Sequence, residues 1–183
     1  MLNIVLRIVL NLILILTFLS STSNANDQLY FKVGLWDFKH ETGGLALNIK
    51  KVTNKNLNII YFGELTQIYE FTGFTDKNNH FSKGKEVEDR EEQAIYLSTG
   101  LQKKIYLSNN NTLIPSFSIG LYEAFDAGKD MGYPIEFKSE LELNHNFSNG
   151  SLLGITYNHI SNADLGNKNP GSDSVLINFK KNF

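Results

Sequence analysis

Leu152 to Ser161 reads L-L-G-I-T-Y-N-H-I-S, and Asp173 to Phe183 reads D-S-V-L-I-N-F-K-K-N-F. Successive side chains of an extended chain point to opposite faces. In the first run Leu153, Ile155, Tyr157, His159 and Ser161 share one face, and Gly154, Thr156 and Asn158 share the other. In the second, Asp173 falls with Val175, Ile177, Phe179 and Phe183, opposite Ser174, Asn178, Lys180 and Asn182. An apolar face set against a polar one at period two describes a strand between two different environments. In a soluble sheet the apolar face packs on a core. In a membrane barrel it meets lipid, while the polar face looks inward.

Strand length and loop layout favour the barrel. The alternation recurs in eight segments, at about Leu29–Asp37, Gly44–Val52, Leu57–Phe71, Gln93–Ile105, Thr112–Glu123, Ile135–Phe147, Leu152–Ser161 and Asp173–Phe183. Most are longer than the ~5–6 residues of ordinary sheets and suit the ~9–11 of a tilted transmembrane strand. Short polar turns are expected at T-N-K-N (Thr53–Asn56), S-N-N-N (Ser108–Asn111) and S-N-G (Ser148–Gly150). The alternate connections are mostly longer, including Asp76–Glu92 and Ala124–Pro134. Tight turns on one side and long loops on the other are the layout of outer-membrane barrels, with the long loops outside the cell. The expected fold is an all-β, eight-stranded antiparallel up-and-down transmembrane barrel spanning residues 26–183, its interior filled by side chains. A final strand ending in an aromatic residue is similar to the signature read by the barrel assembly machinery, which makes Phe183 the expected contact.

The first residues set the compartment. Met1 to about Thr17 is apolar with Arg7 near its start, and Ser23-Asn24-Ala25 forms a small-x-small site. That pattern describes a secretory signal peptide over residues 1–25. The run is short for a membrane helix, and Asn11 interrupts it. The 183-residue chain has no cysteine, so disulfides and thiolate metal sites are excluded. A net charge of -2 gives no footprint for nucleic acid.

The face assignment has a chemical consequence. His159, Ser161 and Asp173 lie on the lipid-facing surface, where polar side chains are costly. With strand seven running outward and strand eight returning, all three gather under the loop Ala163–Ser172, with Tyr157 one step deeper in the aromatic girdle. They are the inventory of a hydrolytic triad: Ser161 as nucleophile, His159 as base, Asp173 orienting the imidazole. Two residues on one strand lie ~6–7 Å apart by backbone rise, within reach once the side chains lean together. Alone, His-x-Ser is a weak pattern, and rim residues bonded to water satisfy it equally well.

The segment H-I-S-N-A-D-L-G-N-K-N-P-G-S-D (His159–Asp173) resembles the active-site segment of the outer-membrane lipid A 3-O-deacylases: His-x-Ser-Asn, then Asn-x-Gly, then an acid before the last strand. His159, Ser161, Asn162, Asn169 and Gly171 match in type and spacing. The resemblance implies an outer-membrane esterase that removes the acyl chain at position 3 of lipid A, with lipid A or lipopolysaccharide as substrate and no cofactor or metal. The acid is a departure, since the family's is typically Glu and position 173 holds Asp, which shortens its reach by ~1.5 Å. Asn162 and Asn169 are candidates for shaping an oxyanion hole or holding the loop; plain turn chemistry is the alternative. Asp164 must turn its charge away from any oxyanion. His40 and His80 fall in loops, His145 lies near the turn side, and the run Lys83–Glu92 reads as a solvated loop. A catalytically degenerate or structural barrel, and a secreted lipid-binding barrel, are the competing readings.

Overall fold

A computed structural model describes residues 27–39, 44–77, 91–125 and 129–180, without the side chains of residues 76, 77, 91 and 92. The expected signal peptide, His40, His80 and Phe183 lie outside the described residues, as does most of the run from Lys83.

Eight antiparallel staves form the barrel: β1 (Gln28–Trp36), β2 (Gly44–Ile59), β3 (Gly63–Lys77), β4 (Glu91–Gln102), β5 (Asn111–Phe125), β6 (Ile135–Asn146), β7 (Leu152–Ser161) and β8 (Ser172–Lys180). A two-residue strand, Ile105–Tyr106, prolongs β4 along β5. Each stave pairs with its neighbours in sequence, and β8 pairs with β1 to close the cylinder. No helix occurs among the described residues.

Alternation sorts the side chains inside out relative to a soluble protein. Phe31, Val33 and Leu35 of β1, Leu45 and Leu47 of β2, Leu141 and Leu143 of β6, Leu153 and Ile155 of β7, and Ile177 and Phe179 of β8 are all exposed on the outer wall. The inner face is layered. Toward the long-loop end Trp36, Phe74, Tyr96, Tyr122, Met131, Ile160 and Leu176 form an apolar cluster. At the opposite end Tyr30, Val52, Ile68 and Leu152 form a second.

Between them lies an ionic layer of three lysines and three glutamates. Lys32 meets Glu140 at 2.6 Å, Glu142 at 2.9 Å and Glu70 at 3.5 Å. Lys50 reaches Glu140 at 3.2 Å and also pairs with Glu142. Lys138 pairs with Glu70 and with Glu140 at 3.2 Å. Charges this deep persist only when paired. The lumen is thus filled, as the strand count implies.

One turn falls elsewhere than expected. Thr53–Asn56 is not the β2–β3 turn: β2 continues to Ile59, and the chain reverses at Ile60–Phe62. The register instead slips, Val52 facing Ile68 and Asn56 facing Thr66. The hydrogen-bonding side chains that suggested a turn serve this bulge. Thr53 Oγ1 donates to the Gln67 carbonyl at 3.2 Å and accepts from the Lys55 N–H at 3.2 Å. The actual reversal uses Tyr61 and Gly63, both at positive φ. The slip is by two residues, so it leaves the facing of every later side chain unchanged.

Candidate active site

His159 on β7 and Asp173 on β8 stand directly opposite each other in the ladder, on the outer wall at the long-loop end. His159 Nδ1 lies 3.2 Å from Asp173 Oδ1. The shorter acid therefore reaches its histidine. With Nδ1 so engaged, Nε2 is the ring nitrogen left for proton exchange. Ser161, two residues along the same face, is half-buried; no hydrogen bond joins its hydroxyl to His159. Such contacts commonly close only when substrate arrives.

Asp173 is 7% exposed despite facing outward. Its surroundings explain this. The Tyr157 hydroxyl donates to Oδ1, and Lys39 Nζ lies 3.1 Å from Oδ2. Lys39 also donates to the Tyr157 hydroxyl at 3.0 Å. Those bonds, to Tyr157 first and Asp173 second, raise the Lys39 pKa above its ordinary value. The Phe38 N–H donates to the Asp173 carbonyl at 3.3 Å, tying the end of β1 to the acid's own backbone.

Gly171 sits against the other edge of the imidazole. A Cβ there would lie 2.9 Å from His159 Cε1, and φ is +62°. Only glycine meets both conditions without strain. The adjacent loop is laced to its neighbour. Asn162 is fully buried, its Nδ2 donating to the Met131 carbonyl at 2.7 Å and the Lys168 carbonyl at 2.8 Å. Asn169 Oδ1 accepts the Asn162 N–H at 3.1 Å, while its Nδ2 donates to Asp164 Oδ1 at 3.1 Å. Asp164 is thereby turned onto Asn169.

Across the gap Lys168 pairs with Asp130 at 2.8 Å. Bonds from Lys168 and from the Gly132 N–H hold the Asp130 carboxyl below its ordinary pKa. Lys129, bonded to Asp37 at 2.7 Å and to the Gly171 carbonyl at 2.6 Å, anchors the loop end before Asp173. Asn162 and Asn169 thus both brace the loop.

The sequence pattern brought His159, Ser161 and Asp173 to one face, and the fold places them there. It did not find Lys39, or the second use of Tyr157. His145 lies at the turn end, bonded through Nδ1 to Asn111 Oδ1 at 2.9 Å and edge-on to Phe147. Among the described residues no His, Asp and Glu side chains cluster in a metal-binding arrangement.

A family model described as lipid A 3-O-deacylase (PagL) matches residues 99–182, an interval that holds every candidate site residue named from the sequence. The family resemblance is to PagL. A solved structure described as the outer membrane enzyme PagL aligns at a TM-score of 0.55 and 17% identity, over 86% of this chain and 99% of that one. The outer membrane protein Ail of Yersinia pestis aligns at 0.50 and 11% identity, over 85% of this chain and 100% of that one. No curated protein matches. At these identities the two structural likenesses are of fold.

Proposed function

We propose that this protein is an outer-membrane esterase that removes the ester-linked 3-hydroxyacyl chain at position 3 of lipid A. One observation carries the reading: a bonded His159–Asp173 pair, with Ser161 two residues on, presented on the lipid-facing wall rather than to the lumen. A substrate that is itself a bilayer lipid reaches only such a site. Ser161 Oγ attacks the acyl carbonyl, and His159 Nε2 takes its proton. As the tetrahedral intermediate collapses, the imidazolium returns that proton to the sugar 3-oxygen, which leaves as the alcohol. Water, deprotonated by the same nitrogen, then attacks the acyl-serine; the acyl–Oγ bond breaks, the proton passes from His159 to Ser161 Oγ, and the 3-hydroxy fatty acid is freed. Asp173 orients the ring throughout and stabilises its charged form. These side chains supply nucleophile, base and acid, so the step draws on no cofactor.

The acyl oxygen needs N–H donors. The Asn162 N–H, bonded to Asn169 in the resting protein, is the donor we assign, with Asn169 yielding to the substrate. The reading places the long-loop end and the site at the external leaflet. It also includes export through residues 1–25 and recognition of Phe183 by the barrel assembly machinery. The test is refolded protein incubated with lipid A in mixed micelles and analysed by mass spectrometry. Loss of one 3-hydroxyacyl chain is expected from the native sequence, and Ser161→Ala should fall by about 10⁴-fold or more. No cleavage of any lipid A, by a barrel that shifts normally with heat on a gel, would leave a degenerate or structural barrel instead.

A further inference from the structure

We propose that Lys39 and Tyr157 are positioning residues that fix the Asp173 carboxylate on His159, an inference that rests on the esterase reading above. An aspartate's terminal torsion is broad, so a single bond to histidine leaves the carboxylate plane free to swing. Here both oxygens are engaged. The Tyr157 hydroxyl donates to Oδ1, the atom that also meets His159. Lys39 holds Oδ2 at 3.1 Å and donates to the Tyr157 oxygen at 3.0 Å. Lysine, tyrosine and carboxylate form a closed ring with the imidazole attached at one corner.

Two simpler roles compete. Tyr157 suits the aromatic girdle, and Lys39 suits a rim cation that meets an anionic lipid group. Both side chains are instead bonded to the acid and to each other. The Lys39 ammonium also lies 5.8 Å from the Phe38 ring centroid, in cation–π reach. The backbone before it is fastened to the acid through the Phe38 N–H. The lysine is delivered to the carboxylate by the strand end, and Asp173 is buried on a lipid-facing wall as a result.

The ring also accounts for the shorter acid. An aspartate cannot reach far, and here it does not need to, because the donors come to it.

The test is steady-state hydrolysis of lipid A in mixed micelles by the refolded full chain. Tyr157→Phe and Lys39→Met should each lower kcat by about tenfold, the scale of one hydrogen bond to a charged group, with KM and heat-modifiable mobility unchanged. Combined, they should lower it little further, since either change opens the ring. Lys39→Arg, which keeps the positive charge and can donate to both the carboxylate and the Tyr157 hydroxyl, should hold kcat within about threefold of the native value. Unchanged kcat in both single variants would overturn the proposal. So would a rise in KM at constant kcat for Lys39→Met, which would make the lysine a substrate contact. A native protein that cleaves nothing defeats the esterase reading separately. The ring is then judged by histidine ¹⁵N–¹H NMR, where Tyr157→Phe should shift the His159 Nδ1–H signal and an unmoved signal refutes it.

Discussion

At Gly171 one methyl group would alter the imidazole's position. Alanine there would carry ~1–2 kcal/mol of left-handed strain and bring its Cβ to 2.9 Å from His159 Cε1. Turnover of Gly171→Ala is therefore expected to drop by about tenfold or more while the barrel's heat-modifiable mobility stays native; parallel assays and gels check this. Asp173 is fitted as closely. It already meets His159 at 3.2 Å, so a longer acid would push its carboxylate past Lys39 and Tyr157. Asp173→Glu should accordingly show a kcat no higher than the native value, and an increase would show that the short side chain limits the reaction. The family pattern alone leads to the opposite expectation. The difference arises because pattern matching registers chain length at position 173 but not the donors that approach it. Lys39 is 118 positions away from Tyr157 in sequence, and only barrel closure brings them together.

At the scale of elements, the staves and turns were legible wherever alternation was uninterrupted, as in β6, β7 and β8. Thr53–Asn56 misled because Thr and Asn signal turns through local side-chain bonding, and a bulge uses the same bonds. The true reversal at Ile60–Phe62 is apolar, and Gly63 was its one conformational cue. The loop between β7 and β8 read as loop, but its fastening did not. Asn162 is a buried amide that spans from Met131 to Lys168, and no spacing rule predicts a partner on another loop. Asn162→Ala removes both bonds and strands two carbonyls, at ~1–3 kcal/mol. Hydrogen exchange should quicken in residues 162–171 and 129–134 and stay slow in the staves, with activity reduced. Uniform protection after the substitution would mean that Asn162 is not what holds the loops together.

For the molecule as a whole, stability has two separable sources. Lys32 is wholly buried among Glu140, Glu142 and Glu70, so Lys32→Met leaves carboxylates without their partner and should cost ~3–5 kcal/mol. Ile155, exposed on the outer wall, tests the other source. Ile155→Arg should cost ~2–4 kcal/mol in a bilayer, the range for a cation at mid-depth on a barrel's lipid face. Guanidinium unfolding in lipid vesicles measures both. The site itself spans the seam where the cylinder shuts. His159 and Ser161 come from the penultimate stave and Asp173 from the last, whereas Lys39 and Phe38 follow the first. A chain whose first and last staves have not met holds an acid without its ring. If the protein is the esterase proposed above, a partly assembled barrel should cleave poorly, and ester cleavage would become a readout of whether assembly has finished.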